Sequence, residues 1–382
     1  MLKQLSVAAA LAGLAVAQDT PSLAAALNSS SDLSTLQGLV PQNVLQALSG
    51  ASNITILAPS NSAFEKVSQD QLSALTSDPG LLTALLQYHV LNGSYLASAI
   101  PDEGAFVPTL LTNQSYTNVT GGQVVHATTE DDKVVFFSGN MNNSTVTTAN
   151  VNFTGGVIHI IDNVLTIPGL VSDVAAAAGL TSVRGALVQA NLVDTVNTTP
   201  DLTVFAPSND AFKNIGSALP NLTTDDLTKI LTYHVVAGTV GYSTKLTNGT
   251  SLQTVNGQNV TVTIGDDGIF VNNAKVITAD VLVANGVVHV IDEVLNPNNA
   301  SIANPNDQDD GEPAFPGASP ASEAPFTSGQ PQPSTTLAAP TSGSPSASGS
   351  GAPQATTNAA ASMPTGAASL GALLGAAAIY FL

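Results

Sequence analysis

The spacing of apolar residues predicts short helices in the middle of the chain. In residues 169–194, Leu170 and Val174 begin a series that recurs at helical intervals and would share one face. Residues 225–231 have the same character, and the threonines directly before them are suitable helix N-caps. We therefore expect at least two amphipathic helical segments here.

A short strand, a tight corner and a helix are predicted between these segments. Residues 203–206, Thr-Val-Phe-Ala, form a β-branched and aromatic run. Pro207 ends the run because proline cannot donate to a sheet ladder. Ser208 is placed to cap the next helix, and the negative charge of Asp210 suits the N-terminal end of the helix dipole.

The chain becomes β-rich after this point. Residues 233–236, Tyr-His-Val-Val, are predicted to leave the preceding helix as a strand. Dipeptides typical of hairpin turns follow at Asn256-Gly257, Asp267-Gly268 and Asn285-Gly286. The pattern along the second copy therefore predicts helices first and strands afterwards.

The same patterns occur twice, which indicates a tandem duplication. Residues 55–64, Thr-Ile-Leu-Ala-Pro-Ser-Asn-Ser-Ala-Phe, match residues 203–212, Thr-Val-Phe-Ala-Pro-Ser-Asn-Asp-Ala-Phe. Two further matches keep the same order: Tyr88-His89-Val90 with Tyr233-His234-Val235, and residues 156–165 with residues 286–295. The first copy is longer in its second half, and we expect the extra length to form longer, glycosylated hairpin loops around residues 113–152.

These motifs resemble the two hallmark motifs and the central Tyr-His of the fasciclin (FAS1) domain family. The resemblance covers residues 19–166 and 167–297, and only the first copy departs from the usual Asn-Gly before the last strand. It implies two tandem α+β domains, each a β-sandwich wedge with packed helices. It also implies a secreted or surface-tethered adhesion or matrix protein.

The resemblance suggests one binding region, around the Tyr-His pair of each copy. We therefore name Tyr88, His89, Tyr233 and His234 as candidate binding residues. In animal relatives this region is linked to integrins, but that partner is not expected here, because the single arginine, Arg184, lies in Arg-Gly-Ala. The residues themselves also permit an architectural role, with His234 buried and Tyr233 at an edge.

Charge and composition restrict the possible partners. The chain has 27 acidic and 8 basic residues, a net charge of −19, which argues against nucleic acid. Cysteine is absent, so disulfides and thiolate metal sites are impossible. We expect no cofactor and no metal.

Both ends of the chain carry targeting patterns. Residues 1–17 have a short basic start, an apolar run and an Ala-Val-Ala cleavage pattern, which predicts a signal peptide rather than a core helix. Residues 359–382 predict a GPI attachment propeptide, with Asn358 as the attachment site and Ser362 or Gly366 as alternatives. A single-span anchor is the other interpretation, although the apolar tail is short for one.

Residues 298–358 are rich in Pro, Ser, Thr, Ala and Gly, which predicts a disordered, O-glycosylated stalk. Asn-x-Ser/Thr sequons run through both copies and predict N-glycosylation on a secreted chain. Their asparagines are Asn28, Asn53, Asn92, Asn113, Asn118, Asn142, Asn143, Asn152, Asn197, Asn221, Asn248, Asn259 and Asn299.

Catalytic interpretations are weaker than structural ones. His159 and His289 each lie three residues before an aspartate, but residues three apart on a strand point to opposite faces. Buried histidines that hold the sheet to a loop explain them better. The Asp-Asp pairs lack the spacing of an EF-hand and suit solvated turns or a helix start. No catalytic residue is predicted.

Two classes of function remain. The first is a non-catalytic surface adhesion glycoprotein, GPI-anchored to the plasma membrane or cell wall, that binds surface, wall or matrix glycans or proteins, with homophilic binding as one option. The resemblance adds a vacuolar-membrane protein of autophagic fusion as an alternative. The second class is a cell-wall carbohydrate-active enzyme, for which neither copy shows a catalytic constellation.

Overall fold

The structure, a computed structural model, describes residues 20–302 and 313–331. The predicted signal peptide at 1–17, the attachment site Asn358 and the propeptide at 359–382 lie outside these residues and stay predictions. Within the described part of the chain, we find no helix of the length and apolarity that a membrane crossing requires.

The first domain begins with three helices and places three more between its first two strands. Its helices are α1 Leu23–Asn28, α2 Ser34–Leu39, α3 Gln42–Ser49, α4 Asn61–Glu65, α5 Gln69–Ser77 and α6 Pro79–Tyr88. Its strands are β1 Ile54–Pro59, β2 Val90–Asn92, β3 Ala105–Pro108, β4 Val124–Glu130, β5 Lys133–Phe137, β6 Asn143–Phe153 and β7 Gly156–Ile161.

The second domain repeats this order with one helix fewer. Its helices are α7 Val171–Ala177, α8 Thr181–Gln189, α9 Val193–Thr198, α10 Asn209–Asn214 and α11 Thr224–Tyr233. Its strands are β8 Leu202–Pro207, β9 Val235–Val236, β10 Thr250–Gln253, β11 Asn259–Gly265, β12 Gly268–Val271, β13 Ala274–Val283 and β14 Gly286–Ile291. A 3₁₀ turn, Leu219–Asn221, stands where the first domain has α5.

Each domain contains one seven-stranded sheet, and the two sheets have the same topology. The orders are β2-β1-β7-β6-β5-β4-β3 and β9-β8-β14-β13-β12-β11-β10. The β1–β7 and β8–β14 pairs are parallel, and the other pairs are antiparallel. A bridge between Leu91 and Thr109 joins the two ends of the first sheet, so that it bends almost into a barrel. The predicted α+β architecture of two tandem domains is confirmed.

The strand-corner-helix motif forms as its residues predict. Ser208 has an extended backbone, and its hydroxyl accepts from the backbone N–H of Ala211 at 3.1 Å. Ser60 caps α4 in the same way, from Ala63 at 3.2 Å. The next residue, Asn209, reaches back to the start of α8 and accepts from the backbone of that helix. The motif therefore holds the helical layer on the sheet.

The predicted strand at residues 233–236 is confirmed only for Val235 and Val236, and the prediction is wrong for Tyr233 and His234. Helix α11 continues through Tyr233, and His234 is its C-cap with φ −87° and ψ −1°. Helix α6 ends in the same way at Tyr88 and His89. The β-branched residues that follow favoured a strand, but the helix extends two residues further because the side chain of His234 bonds to its last turn.

The extra length of the first domain lies mainly within the predicted range, residues 113–152. Most of it forms residues 109–123, between β3 and β4, and a smaller part forms residues 138–142. Residues 143–153 are strand β6 rather than loop. Gln123 is fully buried, because the long loop packs against the second domain instead of extending into solvent.

The predicted disordered stalk needs a correction at residues 313–331. These residues, here named the C-terminal strap, lie along the second domain. Ala314 is buried, and the rings of Phe315 and Phe326 pack against the core of that domain. Two aromatic residues give this piece enough apolar surface to dock. Residues 303–312 and 332–358 lie outside the described parts of the chain.

Candidate functional site

A buried histidine in each domain joins the end of a helix to the segment after the last strand. Nδ1 of His234 donates to the carbonyl oxygen of Ile230 at 2.8 Å, and Nε2 accepts from the backbone N–H of Leu295 at 2.9 Å. His89 makes the same two bonds in the first domain, at 2.8 Å and 3.0 Å. Both ring nitrogens are used, which requires the neutral imidazole.

The surroundings of these histidines oppose protonation. Burial lowers the pKa of His89 and of His234 to about 4, although the backbone carbonyl at Nδ1 acts in the opposite direction. A proton on Nε2 would also break the bond to the backbone N–H that Nε2 accepts. His89 and His234 are therefore suited to stabilise their domains at neutral pH and not to transfer protons.

The tyrosine before each histidine is completely buried. The hydroxyl of Tyr233 donates to the carbonyl oxygen of Asn259 at 2.9 Å and accepts from Nδ2 of Asn272 at 2.9 Å. The hydroxyl of Tyr88 donates to the carbonyl oxygen of Val124 at 2.9 Å. Each tyrosine thus ties its helix to the hairpin strands on the far side of the sheet.

The expected exposure of Tyr233 is therefore wrong. We placed it at an edge because neighbours on a strand face opposite ways, but the two residues end a helix and both turn inward. Relative exposure is 0% for Tyr88 and Tyr233, 5% for His89 and 2% for His234. In this structure, none of the four candidate binding residues offers a surface that a partner could touch.

The other histidine pair also joins sheet to loop. Nε2 of His159 bonds to the carbonyl oxygen of Tyr95 at 2.8 Å, and Nε2 of His289 to that of Gly241 at 2.8 Å. Their Nδ1 atoms accept from backbone N–H groups at irregularities in β6 and β13. The neighbouring Asp162 accepts from the backbone of Thr145 instead of bonding to a histidine.

The fifth histidine lies where the two domains meet. The ring of His126 stacks on Phe106 with centroids 4.6 Å apart, and Phe106 stacks on Tyr242 of the second domain at 4.1 Å. Nε2 of His126 has no hydrogen-bond partner among the described residues, and Gly104 lies against it. Burial lowers the pKa of His126, although the carboxylate of Asp280 acts in the opposite direction.

Polar contacts surround this aromatic stack. They come from the long loop of the first domain, and most of them end on backbone groups of the second. The contacts are Asn118 N to Ala284 O at 2.7 Å, Asn118 Nδ2 to Thr198 O at 2.9 Å, Gln123 Nε2 to Val283 O at 3.1 Å, and Thr120 Oγ1 to Asp201 Oδ2 at 2.6 Å. The extra loop of the first domain thus builds the domain interface.

Three of the acidic pairs occupy turns or a helix start, as predicted, and the fourth, Asp309-Asp310, lies outside the described residues. Asp226 accepts from the backbone and hydroxyl of Thr223 in a capping box, which lowers its pKa. Asp131 and Asp132 have positive φ in the β4–β5 turn. Within the described ranges, no cluster of three or more histidine or acidic residues could hold a metal ion.

An apolar groove lies in the helical layer of the second domain. It is lined by Gly185, Phe212, Leu219, Leu222 and Leu227, and we name it the strap groove. Phe326 of the strap enters it and meets Phe212 edge to face, with centroids 5.8 Å apart. A cavity of about 270 Å³ remains beside Phe326.

The sequence predictions did not include this groove. The signal was present, because Phe315 and Phe326 are the aromatic residues between residues 297 and 379. Two phenylalanines are unusual in a segment with the composition of a disordered stalk, and they indicate that the segment packs against a folded domain. The interface role of Tyr242 and Gln123, by contrast, had no local signal.

Nine of the thirteen sequon asparagines are exposed, and four are half-buried. The half-buried four use their amide Nδ2 in hydrogen bonds within the protein. These bonds run from Asn118 to Thr198 O, from Asn142 to Thr166 Oγ1, from Asn197 to Ser172 Oγ and from Asn299 to Pro313 O. Glycan attachment needs that nitrogen, so these four are poor acceptors in the folded state.

Comparison with known proteins identifies the class. The fasciclin domain profile matches residues 31–168 and 178–297. A fasciclin-like arabinogalactan protein of Arthroderma benhamiae is 38% identical over 288 residues, which are 75% of this chain and 68% of that protein. The chain belongs to the fasciclin domain family.

A second curated protein and one solved structure also match most of this chain. The fasciclin-like arabinogalactan protein elcF of Phaeosphaeria nodorum is 31% identical over 276 residues, 72% of this chain and 88% of that protein. Among solved structures, a FAS1 domain pair from the insect cell adhesion molecule fasciclin I is 21% identical and covers 69% of this chain and 96% of that one, with a TM-score of 0.34.

Proposed function

We propose that this protein is a non-catalytic adhesion glycoprotein of the cell surface that binds wall or matrix glycans or proteins, or further copies of itself. The observation that carries the proposal is family membership over both domains. The use of the histidines supports it: four bond to backbone groups through both ring nitrogens, and the fifth is buried in the domain interface.

The proposed location follows from the targeting patterns and the sequons. A signal peptide at 1–17 and a GPI anchor at Asn358 would display the domains outside the cell, with glycans at the nine exposed sequons. We expect phosphatidylinositol-specific phospholipase C to release the protein from membranes. Recovery of the intact C-terminal peptide from the surface protein by mass spectrometry would reject the anchor.

Adhesion is tested with the glycosylated ectodomain, residues 18–357, coupled to beads. Clumping of the beads, or capture of a cell-wall fraction, is the expected result, with beads that carry heat-unfolded ectodomain as the control. Beads that neither clump nor retain wall material would reject the proposal. Activity on wall polysaccharides by the same preparation would favour the carbohydrate-active alternative instead.

The Tyr-His residues allow a sharper form of this test. If they are architectural, His234→Ala removes the partner of a buried N–H and costs about 1–3 kcal/mol of stability. Bead clumping should then fall only as far as the folded fraction falls, and His89→Ala should behave in the same way. A His234→Ala ectodomain that kept the wild-type melting temperature but did not bind would make the pair a true contact site.

A further inference from the structure

The strap is held through its backbone and through two aromatic side chains, of which Phe326 enters the strap groove. The backbone N–H of Ala321 donates to the carbonyl oxygen of Lys213 at 2.9 Å, and Ser217 donates to the carbonyl oxygen of Ser319 at 3.0 Å. Phe326 supplies the apolar contact in the strap groove. This is how a folded domain binds an extended peptide: backbone bonds give affinity and a side-chain pocket gives register.

A glycine in the wall of the groove admits the strap. Gly185 lies inside α8, where glycine is less favourable than alanine. A Cβ at this position would come within 1.9 Å of the carbonyl oxygen of Phe326. The equivalent residue of the first domain, Gly38, has no atom within 4 Å of the same point. Gly185 therefore leaves space for the strap backbone.

The equivalence of these glycines follows from matching hydrogen bonds. Oδ1 of Asn61 accepts from the backbone N–H of Thr35, and Oδ1 of Asn209 accepts from that of Ser182, both at 2.9 Å. Gly38 and Gly185 each lie three residues after these donors. The first domain thus provides a matched control position for the groove.

The backbone of Phe326 indicates that the groove imposes its conformation on the strap. Its φ is +62°, in the left-handed region that residues with bulky side chains avoid. The side chain of Arg184, on α8, also bonds to Gln330 further along the strap. Residues 319–330 thus behave as a bound ligand of the second domain.

The number of residues between the domain and the strap allows the strap to reach a second copy of the chain. The strap begins after residues 303–312, a segment of ten residues. Ten residues can span up to about 35 Å. The contacts in the groove would be identical for a strap from another copy of the chain.

We propose that the strap groove is a homotypic binding site, in which the strap of one chain docks on the second domain of another copy. The proposal rests on the adhesion function of the preceding section and names its partner. Within one chain the strap has an effective concentration of about millimolar. Exchange between chains therefore competes with docking within one chain where tethered copies are equally crowded, and dilute ectodomain remains monomeric.

Two full-length ectodomain variants separate the strap from the groove. Gly185→Ala blocks the groove and frees an intact strap, so it is the donor. Phe326→Ala keeps the groove and weakens its own strap, so it is the acceptor. Sedimentation velocity of a labelled acceptor with increasing donor should show a one-to-one complex, and a peptide of residues 313–331 should displace the donor.

The control donor is Gly38→Ala, whose own strap still fills its own groove. We expect it to bind the acceptor at least about tenfold more weakly than the Gly185→Ala donor does. Equal binding by the two donors, or monomers alone with the Gly185→Ala donor, would overturn the proposal. Bead clumping by wild-type ectodomain in the absence of donor–acceptor pairing would leave adhesion standing and reject strap exchange alone.

Discussion

The two domains share one fold but cover the same part of their helical layer in different ways. In the first domain, Leu75 of α5 is buried and lines a small cavity together with Phe64 and Leu85. The second domain lacks this helix and receives Phe326 of the strap against Phe212. A duplicated unit can therefore lose a helix when a later segment supplies the missing apolar side chain.

The comparison extends to the other side of each domain. The first domain spends its extra residues on the loop 109–123, which reaches the second domain. The second domain has only a short connection between β10 and β11 at the equivalent place. Loop 109–123 is thus specific to the first domain, and the docked strap is specific to the second.

The largest expected effect is a loss of stability at acidic pH, caused by the buried histidine that the two domains share. The pKa of His89 and of His234 is about 4 in the folded state, below the ordinary value of 6.5. The unfolded chain binds more protons below pH 6.5, so the free energy of unfolding falls as the pH falls from about 6.5 to about 4. Two such groups amount to about 5 kcal/mol over two pH units.

Urea unfolding at pH 7 and pH 4.5 measures this loss, and an unchanged midpoint would contradict it. His234→Ala should reduce this pH dependence, because one of the buried histidines with a lowered pKa is removed. His89→Ala should do the same if the domains are equivalent in this respect. A different pH dependence in the two variants would show that the histidine contributes unequally to the stability of the two domains.

The next largest expected effect is a loss of stability when the interface between the two domains is disrupted. Tyr242 is buried and stacks on Phe106 of the first domain, so Tyr242→Ala should cost about 3 kcal/mol and separate the unfolding of the two domains into two calorimetric transitions. Tyr242→Phe is the control. The hydroxyl is buried without a hydrogen-bond partner among the described residues, so its removal should be nearly neutral.

A loss of stability is also expected when the side chain that covers the helical layer of either domain is truncated. Leu75→Ala in the first domain should cost about 2–4 kcal/mol, since the side chain is buried. Phe326→Ala should cost about 1–2 kcal/mol, because Phe326 is only half-buried. Differential scanning calorimetry in the Tyr242→Ala background, where the two domains are expected to unfold separately, should assign the two losses to different domains. Destabilisation of the first domain by Phe326→Ala would break the proposed equivalence.

The sequence predicted the duplicated architecture because its strongest signals are local. Pro207 and Ser208 fix a corner within a few residues, and the Asn-Gly dipeptides fix hairpins, so these elements form where expected. The end of α11 was missed because it depends on the bond from His234 to Ile230, and the burial of that histidine depends on Leu295, 61 residues away. Secondary-structure propensity does not report such side-chain hydrogen bonds.

The candidate site was predicted less well for the same reason. Tyr233 is buried because Asn259 and Asn272 come to its hydroxyl from the hairpin strands. The docking of the strap depends on the absence of a helix more than 90 residues earlier, at the 3₁₀ turn Leu219–Asn221. Phe315 and Phe326 were visible in the sequence, but their target was not.

Hydrogen exchange of the ectodomain, with and without Phe326→Ala, tests the central claim most directly. If the strap completes the second domain as α5 completes the first, the variant should lose amide protection in α8 and α11 while α5 and α6 keep theirs. Unchanged protection in α8 and α11 would show that the second domain is complete without the strap and would contradict the account.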